Sequence, residues 1–132
     1  MHQLGYGART NNNMGKTLDS LVPSDLKQSA WMCGDEFAYR YPDVLRVVDI
    51  ANKNAIAILG FEFFHILPHP PRFATEVLTG NDLRFNGYWP GFVQDNNLLA
   101  AYYIEKDRRD GDYGFILTST SESEFRQLVG KS

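Results

Sequence analysis

The sequence predicts a single α+β domain in which a mostly antiparallel, or mixed, sheet is packed by two to four helices. Three observations carry that expectation. An amphipathic helical repeat over Pro42 to Lys53 runs almost at once into Ala55 to Ile66, a strand apolar on both faces. Later segments alternate between strand-like and helix-like apolar periods, and no internal repeat is visible. The chain has 132 residues, enough for one domain with a sizeable core and too few for a pair.

From the N-terminus, residues 1–13 are rich in Gly and Asn without an apolar period and read as a flexible tail, with 14–132 as the folded domain. Leu18, Leu21, Val22, Leu26 and Trp31 suit a short helix or two broken at Pro23, with Ser24 and Asp25 as cap residues. Cys33-Gly34-Asp35 then turns the chain. In the helix that follows, Val44, Leu45, Val47, Val48 and Ala51 form an inner stripe opposite Arg46, Asp49 and Lys53. Pro42 suits its first position, and Asn54 can take the left-handed exit conformation.

Along the strand, one parity collects Ile56, Ile58, Gly60, Glu62, Phe64 and Ile66, and the other Leu59, Phe61, Phe63 and Leu67. Burial on both faces makes this strand central. Pro68, Pro70 and Pro71 force a loop, Phe73 to Leu78 reads as another strand, and Gly80-Asn81-Asp82 as a turn. A second long helix is expected from Asp95 or Asn96 to Lys106. Leu98, Leu99, Ala101 and Tyr102 share one side of it, while Tyr103 and Ile104 point elsewhere, either between layers or into an exposed patch. Arg108 to Gly111 is a charged turn and Tyr113 to Thr118 a strand. Ser121 caps a terminal helix that turns Phe125, Leu128 and Val129 inward.

Composition narrows the function. A formal charge of -3 with interspersed signs lacks the basic face of a nucleic-acid binder. No run of about 18 apolar residues exists to span a membrane, and the first residues lack the pattern of a secretory leader. Cys33 is the one cysteine, so no internal disulfide forms and a reducing cytoplasm is the expected compartment.

Candidate chemistry is sparse. Glu62 interrupts an apolar run, and a buried carboxylate must be paired, protonated or functional. With His65 it could serve acid–base chemistry, but the expectation is a structural carboxylate held near a kink that Gly60 permits. His65 and His69 have a metal-pair spacing only in a helix, which Pro68 forbids, so neither metal nor cofactor is expected. Isolated glycines without a strand-to-helix phosphate loop, and the lack of a nucleophile elbow, leave no enzyme signature. Tyr88, Trp89 and Phe92 stand out in a Pro/Gly-punctuated segment that reads as a loop. Such rigid aromatics either anchor protein interfaces or, as Trp89 can, plug the core.

The order Ala57-Ile58-Leu59-Gly60-Phe61-Glu62, Asn86-Gly87-Tyr88-Trp89 and Ala101-Tyr102-Tyr103-Ile104 resembles a family of small bacterial immunity proteins, immunity family forty of polymorphic toxin systems. The likeness covers roughly Phe37 to Thr118. It departs from the family where Phe61 replaces a second glycine, where Glu62 replaces the usual Asp, and where two residues separate Asn86 from Trp89. The resemblance implies a cytoplasmic α+β protein, not an enzyme, that binds and neutralises a cognate protein toxin by occluding its active or substrate-binding site. An acidic partner could plug a basic toxin cleft, and the expected toxin-binding residues are Tyr88, Trp89, Phe92, Asp95, Asp107, Asp110 and Asp112, with Glu105 among the nearby acids. The alternatives are a small enzyme using Glu62 with a nearby histidine, or an adaptor domain of a larger assembly.

Overall fold

A computed structural model describes residues 16–65, 72–78, 85–107 and 113–130. In chain order the elements are α1 (Lys16–Leu21), α2 (Ser24–Ser29), β1 (Trp31–Cys33), β2 (Glu36–Ala38), α3 (Asp43–Lys53), β3 (Ala57–His65), β4 (Arg72–Leu78), α4 (Trp89–Asp107), β5 (Tyr113–Thr120) and α5 (Glu122–Gly130). The expected tail at 1–13, the proline loop and the charged turn lie outside the described residues. The α+β class is as expected, and the described residues include five helices, one more than the upper end of the expected range, with α1 and α2 separated at Pro23.

The main sheet has the order β4-β3-β5 and both pairings are antiparallel, so the apolar strand is central as the sequence predicts. One face packs under α3 and α4. There Phe61, Phe63 and Phe115 join Val44, Val47, Val48, Ala51, Ala100 and Ile104 in the main core. The opposite face meets the β1–β2 hairpin, where Phe64 and Ile116 pack with Ala38, Trp31 and Cys33.

This hairpin escaped the sequence reading, which gave Trp31 to a helix. Strands of three residues are too short to show a period. Its turn is built on Gly34 at φ 67, and its exit joins β5 through reciprocal Tyr39–Phe115 backbone bonds of 2.8 and 2.9 Å. Gly114 allows the crossing, because a Cβ there would lie 2.7 Å from the Ala38 Cβ.

The expected face assignment on β3 fails at one point. A register shift between Ile58 and Gly60 inserts Leu59 as an extra residue. Upstream of it Ile56 and Ile58 therefore side with Phe61 and Phe63 in the main core, while Ala57 and Leu59 join a separate aromatic cluster. α3 keeps its predicted stripe, with Leu45 half-buried beside it. Its exit differs: Asn54 bonds back to the Ile50 carbonyl through its side chain at 2.8 Å, so the left-handed residue is Ala55, at φ 58.

α4 departs furthest from expectation. It starts at Trp89, well before Asp95, and its buried side is Trp89, Phe92, Val93, Asn96, Asn97, Ala100 and Ile104. Leu98 and Tyr102, expected inside, are 71% and 57% exposed. The inward asparagines explain the inversion. Asn97, 3% exposed, accepts a hydrogen bond from the Ile58 N–H at 2.8 Å and donates one to the Ile56 carbonyl at 2.9 Å. Its amide thus does for Ile56–Ile58 what a neighbouring strand would do. The described register of β4 on β3 reaches only to Gly60.

Asn97→Ala is expected to remove the hydrogen bonds that Asn97 makes with both backbone groups, at about 1–3 kcal/mol each. Asn97→Leu, which restores bulk without the bonds, should not recover that loss. Denaturant unfolding of the three proteins checks this, and an unchanged midpoint for either variant contradicts the assignment.

Candidate functional site

The segment expected to be an aromatic loop is a helix start. Asn86 accepts a hydrogen bond from the Tyr88 N–H at 3.0 Å, and Gly87 at φ 97 completes the turn into α4. The Tyr88 carbonyl then accepts from the Phe92 N–H at 3.2 Å. This geometry sends neighbouring aromatics in opposite directions. Tyr88 faces solvent, 65% exposed, whereas Trp89 and Phe92 are buried.

Trp89 and Phe92 are therefore corrected from expected toxin contacts to core residues. Their rings form a cluster with Phe85 and Phe125 at centroid separations from 5.2 to 5.8 Å. The Trp89 indole N–H donates to the Ala55 carbonyl at 2.8 Å, tying the start of α4 to the left-handed residue before β3. Two of the short motifs noted in the sequence, around Asn86–Trp89 and Ile58–Gly60, thus meet at one structural joint.

Outside that joint the expected residues separate. Tyr88 lies against Gly91, where a Cβ would come within 3.0 Å of the Tyr88 ring. Asp95 is exposed two turns further on, and Asp107, at the end of α4, is half-buried. Asp110 and Asp112 lie outside the described residues. Glu105 is exposed and accepts a hydrogen bond from the Tyr41 hydroxyl at 2.8 Å. Between these acids stand Leu98 and Tyr102, which sequence reasoning assigned to the interior. The signal that could have exposed the error was Asn96-Asn97: turning both inward sets Ala100 and Ile104 inward with them and Leu98 and Tyr102 outward.

Glu62 sits on the hairpin side of β3 and is 8% exposed. It is engaged by its surroundings. Burial pushes the Cys33 thiol above its ordinary range, and the charges of Glu36 and Glu62 push it further, which keeps the sulfur protonated and a poor nucleophile at neutral pH. The register sets His65 opposite Tyr113, and their rings lie 4.4 Å apart. His69 lies outside the described residues, among which no group of three or more His, Cys, Asp or Glu could hold a metal ion.

A further, part-buried polar pair ties α1 to the chain that bridges to β5. The Tyr39 hydroxyl donates to Asp19 at 2.8 Å. Burial raises the Asp19 carboxyl, with the Tyr39 bond and the Lys27 charge opposing. Burial likewise raises the Tyr39 phenol, reinforced by the charge of Asp19 and its hydrogen bond.

No helix among the described residues is long and apolar enough to cross a membrane. No protein-family model matches the chain, and neither the curated proteins nor the solved structures include a match.

The Glu62→Gln substitution keeps the shape of the side chain while removing its capacity for charge, and is expected to lower the unfolding free energy, by about 1.5–3 kcal/mol for each charge-assisted bond it removes. Whatever activity the protein has should survive in the fraction that remains folded. An unchanged melt together with lost function would instead make Glu62 a functional group.

Proposed function

We propose that this chain is an immunity-type binding protein that neutralises a cognate bacterial toxin by covering its active or substrate-binding site. The observation that carries the reading is the split at the start of α4: Trp89 and Phe92 lock the helix into the core while Tyr88 is left outside on the same rigid turn, with Asp95 exposed beyond it. An aromatic pre-positioned in this way loses little entropy on binding, and a nearby carboxylate adds steering toward a basic cleft. The resemblance to immunity family forty points to the same class of partner. Burial of Glu62 beneath the hairpin supports a structural task for that residue over acid–base work.

Co-expression with the product of the adjacent gene tests the proposal. Rescue of growth and co-purification are expected, and toxicity unaffected by this chain rejects it. With a binding pair in hand, Tyr88→Ala is expected to cost about 2 kcal/mol, near a thirtyfold rise in Kd, if Tyr88 is an anchor. Calorimetric titration or surface plasmon resonance reads the change, and unchanged affinity in a folded variant removes Tyr88 from the interface.

A further inference from the structure

The fold accounts for the inner face of α4 but not for its outer face. At about 100° per residue, Gly91, Asp95, Leu98, Tyr102 and Glu105 fall on one side, opposite Asn96, Asn97 and Ala100. Leu98 is 71% exposed, Tyr102 57% and the flanking Tyr88 65%. Singly exposed apolar residues are ordinary on a protein surface. Here Leu98 and Tyr102 sit one turn apart, on a helix whose polar asparagines are the buried members.

We infer that this outer face of α4, centred on Leu98 and Tyr102, docks in an apolar groove with a basic rim on the toxin, an assignment that rests on the proposed function. Charge selects this occupant. Asp95 and Glu105 flank the apolar centre, and the one Lys on the helix, Lys106, is drawn over the Tyr102 ring at 5.9 Å. A second copy laid antiparallel on this face about the Leu98–Tyr102 centre would set Asp95 of one copy against Glu105 of the other, like charge to like charge. Size agrees with a partner that also contacts the surroundings. Leu98 and the two tyrosines expose on the order of 400 Å² together, about half of what one side of a standard interface buries, leaving the remainder to a polar rim. Recognition is then of the helix-in-groove kind, read out at spacings of three and four residues. It adds Leu98 and Tyr102 to Tyr88 and Asp95 as contact residues.

The test uses the full chain, the purified product of the adjacent gene, and the variants Leu98→Ser, Tyr102→Ala and Asp95→Lys, each verified as folded by its melt. Leu98→Ser and Tyr102→Ala are expected to raise Kd at least about thirtyfold, mainly through faster dissociation. Asp95→Lys is expected to slow association, and to do so more at low salt than at high salt. If the unaltered chain binds and all three variants keep its rates and affinity, the interface lies elsewhere and the inference falls while the proposed function stands. If the unaltered chain does not bind the adjacent product, both fall. If sedimentation shows a dimer of the unaltered chain that Leu98→Ser dissociates, the occupant is a second copy and the inference is overturned.

Discussion

The arrangement turns on one side-chain amide. Asn97 reaches from α4 to the edge of β3 just upstream of the extra residue Leu59, where it accepts from Ile58 and donates to Ile56. Backbone groups buried at a bulge must find partners, because an unsatisfied one costs as much as several ordinary bonds contribute. An asparagine can satisfy a donor and an acceptor together, as a neighbouring strand would. Its position fixes the rotation of α4, since the residue that faces Ile58 decides which residues face solvent. The Trp89 indole on the Ala55 carbonyl fixes the same helix at its start.

With rotation and position both set, α4 is a rigid bar held from within and open on its outside. The aromatic cluster of Phe85, Trp89, Phe92 and Phe125 closes the end of the domain where α4 begins. There the terminal helix α5 is anchored by a capping box, in which Ser121 and Glu124 exchange bonds of 2.9 and 3.3 Å. A support of this kind suits a binding protein, since loss of motion on association is smallest for groups already held in place. The proposed contact residues on α4 all project from it or from the turn that starts it.

The sequence was legible where local pattern and tertiary role coincide. α3 and its stripe, the central β3 and the Ser121 cap follow from period and end signals, whereas antiparallel and mixed pairing were both open on sequence alone. Three features were not legible, each for a physical reason. The β1–β2 hairpin is too short for a period. The bulge at Leu59 reverses face assignment without altering composition. Most consequentially, α4 buries Asn96 and Asn97, and an apolar-period reading turns polar residues outward by default. That reading turned Leu98 and Tyr102 inward, while a separate one, which took the segment around Tyr88 for a loop, put Trp89 and Phe92 among the expected toxin contacts. Of the residues nominated from sequence, Tyr88 and Asp95 are exposed where a partner can reach them.

Native-state hydrogen exchange at the Ile58 amide tests the role of Asn97 most directly. A bulge residue bonded to a fixed side chain in the core should open only when the domain does, so Ile58 should exchange with the slowest amides of β3, at a free energy close to that of global unfolding. Exchange of Ile58 at the rate of an exposed loop, with its β3 neighbours still protected, would mean that Asn97 does not hold this joint and that the rotation of α4 is set by something else.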